Sequence, residues 1–132
     1  MDTIFDKIIQ GEIPSTMIHE DKDCVVIMDI NPVIKGHCLV ISRKSYPTFT
    51  QCPQEELSHL MEIAKAADTK LRQVLHCDGT NIVINNGPAA GQEVPHLHIH
   101  VIPRYTGGEK VIFPHEVYQE GEMKSLGKKL DF

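Results

Sequence analysis

Apolar positions along this chain recur with two different periods, and the places where the period changes lay out its elements. Ile4, Phe5, Ile8 and Ile9 stand at helical spacing behind Asp2 or Thr3 as a candidate N-cap, with Gly11 and Pro14 as stop signals. From Met17 to Ile41 the runs MIHE, CVVIMDI and HCLVIS are short, apolar and rich in β-branched residues, and EDKD and NPVIKG between them read as turns. They predict three strands, antiparallel because the connections are too short for crossovers. Between Pro53 and Leu75 the residues Leu57, Leu60, Met61, Ala64, Ala67, Leu71 and Val74 return at three- and four-residue steps, the mark of a long amphipathic helix, with Pro53 suited to its first turn. Cys77, Asp78 and Gly79 end it. TNIVIN predicts a strand, NNGPAAGQEVP a loop and HLHIHVIPR a final strand, whereas the tail after Tyr105 shows no clear period and is broken by Gly107, Gly108, Pro114 and Gly121. The expectation is an α+β fold, one domain over residues 1–132, with about five antiparallel strands and two helices.

The 41% hydrophobic and 23% charged residues among 132 fit a globular chain. A formal net charge of −5 with no basic stripe argues against a nucleic-acid partner. No apolar run approaches the roughly 20 residues of a spanning helix, so no membrane role is expected. Cys24, Cys38, Cys52 and Cys77 form no C-x-x-C pair, and with no secretory signal in view, reduced thiols and a cytoplasmic location are expected.

The chemistry concentrates in HLHIHVI. On a strand, successive side chains point to opposite faces, so His96, His98 and His100 should share one face while Leu97, Ile99 and Val101 share the other and pack on the long helix. Neighbouring imidazoles would then lie about 6 to 7 Å apart, within reach of one small ligand. Such a row can ligate a transition metal, attack phosphorus as a neutral nucleophile with adjacent rings donating to phosphate oxygens, or be a histidine-rich surface. A closed metal site asks for a further ligand at local spacing. The preceding loop instead brings Gly87, Ala89, Ala90 and Gly91, whose small side chains let backbone amides approach an anion, together with Asn85 and Gln92. That context favours phosphate.

The run HLHIHVI, preceded by GQEVP and by DINP and GH upstream in order, resembles the signature of the histidine triad family of nucleotide hydrolases and transferases; IFDKIIQGEIP, VIMDINPVIKGHCLVI and NIVINNGPAAGQEVPHLHIHVIPR are similar to successive blocks of its domain. The resemblance implies a meander of five antiparallel strands with two helices, paired as a homodimer. It implies a hydrolase that attacks the α-phosphate of purine nucleoside phosphoramidates, adenylates or dinucleoside polyphosphates through a nucleotidyl-histidine on His98. His100 would contact the phosphate and bridging atom, with His96 and His37 in support. A nucleotide-binding regulatory or interaction module is the alternative.

By the same resemblance Phe5, Ile8, Ile27, Asp29 and Ile30 form the base and ribose pocket, Asp29 accepting from ribose hydroxyls. Asn85, Gly91, Gln92, Glu93 and Val94 line the phosphate side. Imidazole chemistry agrees, because at neutral pH much of it is already the free base, and a backbone carbonyl of the loop is the expected anchor for the second nitrogen of His98. Two departures stand out. Many family members carry a zinc-binding Cys-x-x-Cys where this chain has TIFD, so no structural zinc and no required cofactor are expected, and Glu93 replaces the usual serine or threonine beside the scissile bond.

Overall fold

Thr3 starts the first helix, α1 (Ile4–Ile9), through a reciprocal capping box: its hydroxyl accepts from the Asp6 N–H and its own N–H donates to the Asp6 carboxylate at 2.9 Å. The computed structural model describes residues 2–132. After α1 come β1 (Met17–Glu20), β2 (Cys24–Met28) and β3 (Cys38–Ser42), then the long helix α2 (Gln54–Leu75). The chain continues through β4 (Gly79–Val83), a short 3-10 turn over Pro88–Ala90, β5 (His98–Arg104) and a last helix, α3 (Glu122–Leu130). The strands form one antiparallel sheet in the order β1-β2-β3-β5-β4. β5 is thus inserted between β3 and β4 rather than added at an edge, a departure from a simple meander.

Both faces of the sheet centre are covered, which is why CVVIM and CLVIS read as continuous apolar runs and not as alternating ones. On one face Val26, Val40, Leu97, Ile99 and Val101 pack against Leu60 and Ala64 of α2. On the other, Val25, Ile27, Leu39 and Ile41 pack against Phe5 of α1. The predicted sidedness of Leu97, Ile99 and Val101 is therefore observed. Gly36, in the turn before β3, allows the end of α2 to come close: its φ is +103°, and a Cβ there would lie 2.5 Å from Leu75.

Three expectations change. The final strand begins at His98, not His96, because the Leu97 N–H bonds to the Tyr46 carbonyl at 2.7 Å and the His96 N–H turns back to the Val94 carbonyl, which takes both residues out of the β3–β5 ladder. β4 stops at Val83, short of Ile84 and Asn85. The tail contains α3, whose Met123, Leu126 and Leu130 do follow helical steps, although its nine residues include Gly127 and every residue from Tyr105 on is exposed. Among the described residues no helix is long and apolar enough to cross a membrane.

Candidate functional site

The register of β5 beside β3 sets the site. His98 pairs with Ile41 and His100 with Leu39, so both imidazoles rise on the face that carries Phe5 rather than on the α2 face. His96 joins them from outside the ladder. The face is not open to solvent: α1 covers it, with the Phe5 ring 5.6 Å from His96 and 4.8 Å from His98, both edge-on. His96 and His98 are buried, and His100, half-buried, lies 4.9 Å from the His98 ring.

Hydrogen bonds assign a tautomer to each ring. His98 Nδ1 lies 2.7 Å from the His96 carbonyl, which can only accept, so Nδ1 carries the proton and Nε2 keeps its lone pair. Burial lowers the His98 imidazole below its ordinary value, which keeps that lone pair free at neutral pH. In His37 the arrangement is reversed. Its Nδ1 accepts from the Val33 N–H at 3.1 Å, so the proton sits on Nε2 and is donated to His100 Nδ1 at 2.9 Å. His100 must then hold its own proton on Nε2. Burial, with His98 and His37 nearby, pushes His100 down to about 4. Adjacent rings thus offer opposite functions, a lone pair on His98 and an N–H on His100.

The support behind them is local. The Asp29 carboxylate is 3.5 Å from His37 Nε2, and its other oxygen accepts from the Asn31 N–H at 2.9 Å. His96 Nε2 donates to the Ser42 carbonyl at 2.6 Å, and its Nδ1 meets the Thr3 hydroxyl at 2.7 Å. Both nitrogens of His96 are therefore taken, Nδ1 tying the start of α1 and Nε2 tying the end of β3 to the segment that leads into β5. Sequence reasoning missed Thr3 in this role, because a cap residue gives no sign of a partner 93 positions away.

A cleft of about 650 Å³ opens beside these rings. All five residues expected for the base and ribose, Phe5, Ile8, Ile27, Asp29 and Ile30, line it, joined by the segment Ile13 to Thr16 that the sequence did not single out. Phe5 belongs to both the cleft and the ring cluster. Ile30 is 91% exposed, so it forms a rim and not a wall.

The loop before β5 fits the anion reading in part. Gly87 and Gly91 hold φ of +93° and +92°, a conformation that favours glycine, and flank the 3-10 turn. Asn85 stands across from Gly91, its Nδ2 4.0 Å from where a Cβ would be. Val94 packs on the Phe5 cluster, and Glu93 is exposed. Gln92 is corrected. Its Oε1 accepts from the Gly87 N–H at 2.7 Å and its Nε2 donates to the Pro47 carbonyl at 2.6 Å, so its amide holds the loop in shape and both ends are taken.

The sequence profile of the HIT domain matches residues 10–107. An uncharacterized HIT-like protein of Methanocaldococcus jannaschii is 47% identical over 93% of this chain and 90% of its own length. The chain belongs to the histidine triad family. A second member, the adenylylsulfatase HINT3 of Arabidopsis thaliana, is 38% identical over 78% of this chain, which spans about half of that longer protein (52%). In three dimensions the chain is similar to the histidine triad nucleotide-binding protein of Candida albicans, with a TM-score of 0.83 and 32% identity over 98% of this chain and 94% of that one. In this histidine triad protein the family signature is therefore read on a matching backbone. The segment after residue 107, α3 included, lies outside the matched domain.

Proposed function

We propose that this chain hydrolyses purine nucleotides at the α-phosphate, on phosphoramidates, adenylates or dinucleoside polyphosphates, through a nucleotidyl-histidine on His98. The observation that carries the reading is the bond from His98 Nδ1 to the His96 carbonyl, which leaves Nε2 as a fixed nucleophile beside an N–H of His100. The Nε2 lone pair forms the bond to the α-phosphorus while the bond to the leaving atom breaks. That atom departs with the electron pair and takes a proton from water. The His100 N–H meets the phosphate charge, joined from the loop by the Ala89 N–H, since Gly87, Ala90 and Gly91 already donate within the loop and Pro88 has no N–H. Water then attacks the phosphorus, freeing His98 and a nucleoside monophosphate. The relation to an adenylylsulfatase supports adenylates within the substrate class.

No metal is assigned to the central step. His96 has both nitrogens committed, as does His37, so the triplet does not converge on one ion although Asp29, His37 and His100 lie within 4.8 Å of one another. Nor is the family's structural zinc assigned here, because Thr3 and Asp6 stand where thiolates would be needed and bond instead to each other and to His96. A homodimer belongs to the same reading. Leu60 turns to the sheet, leaving Met61 and Val74 of α2 and Ile82 of edge strand β4 exposed for a second copy.

The test is to mix the protein with adenosine phosphoramidate labelled at phosphorus, quench in base and map the label. It is expected on His98, and His98→Ala should carry none and turn over about 10⁴-fold more slowly while still binding adenosine monophosphate. Label on another residue, or full turnover in the variant, overturns the mechanism. Stabilisation by nucleotide without any release of monophosphate would favour a binding module.

A further inference from the structure

A second cluster of histidines and carboxylates lies outside the nucleotide site, where the β1–β2 turn meets α2. Asp21 is its centre. One carboxylate oxygen is fixed by the backbone, accepting from the Asp23 N–H at 2.8 Å and the Cys24 N–H at 2.9 Å. The other oxygen faces two imidazoles at once, His19 Nε2 at 2.9 Å from β1 and His59 Nε2 at 2.8 Å from α2. Asp21, Asp23 and His59 each offer a ligand atom within 4.8 Å of the others, and Glu62 reaches to 3.8 Å from His59 Nδ1. The side chains of His19 and His59 are 43% and 32% exposed, so an ion can enter from solvent and the rings can turn to meet it.

We propose that His19, Asp21, Asp23 and His59 form a surface site for a divalent transition-metal ion, with zinc the best fit, that clamps the β1–β2 turn to α2. The donor set decides the class of ion. Imidazole nitrogen with carboxylate oxygen suits zinc, whereas magnesium and calcium ask for oxygen alone. Donors at bonds of about 2.0 to 2.2 Å from one tetrahedral ion lie about 3.3 Å apart, so Asp21, Asp23 and His59 must close by about 1.5 Å at most from their present 4.8 Å limit, and His19, already 2.9 Å from Asp21, swings in as the fourth donor. The exposed imidazoles supply that movement while Asp21 stays fixed by the backbone. Cys24 is close to the same carboxylate at 3.5 Å but is left out of the set: it is fully buried, and burial beside Asp21 pushes its thiol up to about 12, so it stays protonated. The local charge favours a cation. Asp21, Asp23 and Glu62, with Glu20 paired to Arg43, outnumber the two cations nearby, Arg43 and the turn's Lys22, and the Asp21 bond already raises the His59 imidazole above its ordinary value. An ion takes the place of the proton that now sits between His59 and Asp21.

The test titrates zinc chloride into chelator-stripped full-length protein by calorimetry, with native mass spectrometry for stoichiometry. The parent and His98→Ala should each take up one equivalent at micromolar zinc. The double variant His19→Ala, His59→Ala should bind about 100-fold or more weakly, since losing ligands costs more than the 10- to 100-fold of an outer contact. Asp23→Asn, which keeps every side chain of the turn near its present size, should weaken binding by about tenfold or more and serves as the arm that does not depend on the double variant folding. No uptake by the parent below about 100 µM zinc overturns the site. So does uptake undiminished in Asp23→Asn, or an equivalent lost in His98→Ala and kept in the double variant, which would place the ion among the nucleotide-site histidines.

Discussion

The Nε2 atom of His37 lies 2.9 Å from Nδ1 of His100, and this bond decides which nitrogen of His100 holds its proton. Because the Val33 N–H fills Nδ1 of His37, that ring can only donate to His100, which turns the His100 N–H outward. A backbone amide before β3 thereby sets the proton of a side chain on β5. His37→Phe removes the donor while keeping the ring volume, and His100 is then free to hold its proton on Nδ1. Steady-state kinetics on a phosphoramidate should show kcat reduced by about 100-fold, the scale of losing one preorganised donor, with KM little changed. A raised KM with kcat intact would make His37 a binding residue instead.

The pH dependence has a defined sign. His100 is pushed down to about 4 and His98 is lowered by burial, while both return to about 6.5 in the unfolded chain. Between those values the unfolded state binds more protons, so the stability tied to these neutral rings is complete above about pH 6.5 and is lost as pH falls toward 4. Thermal melts from pH 7 to 4 should show the loss, and His100→Asn should make it shallower. Turnover should persist below the ordinary imidazole value before its acid limb begins, because His98 remains a free base there. A steeper melt profile in His100→Asn would contradict this account.

Thr3 serves two elements at once, capping α1 and meeting His96 Nδ1. Thr3→Ala removes the cap, worth about 1 kcal/mol. It also leaves a buried ring nitrogen without its partner, at about 1 to 3 kcal/mol. Urea unfolding should show a destabilisation above the cap value alone, and Thr3→Ser should recover most of it. A cost confined to the cap term would mean that the contact with His96 contributes nothing.

Glu93 is exposed at the loop that leads into β5. An ionised carboxylate there accepts hydrogen bonds but cannot donate, and it repels an anionic leaving group more than an amine. Glu93→Ser should raise kcat/KM for a dinucleoside polyphosphate relative to a phosphoramidate by a few fold, and added salt should shrink the difference because the charge is exposed. Equal changes on both substrates would show that residue 93 does not select the leaving group.

The helical period of 3.6 and short apolar runs bounded by turn residues are local properties, and they marked α1, the first three strands and α2 in the sequence. They also placed His98 and His100 on one face, since alternation follows from the strand backbone itself. Phe5, Ile8, Ile27, Asp29 and Ile30, which line one cleft, were legible through family resemblance, each at its own position. What the sequence could not carry was any pairing across distance. The insertion of β5 between β3 and β4 depends on which strand edges meet in the folded chain, and no local pattern encodes that choice. The departure of Leu97 from the ladder depends on the carbonyl of Tyr46, far upstream and brought near only by folding, and the use of Gln92 to shape its loop depends on Pro47. The tautomers of His98 and His100 were equally out of reach, because a ring nitrogen takes its role from the atom facing it, and only the folded chain brings the Val33 amide, His37 and His100 into line.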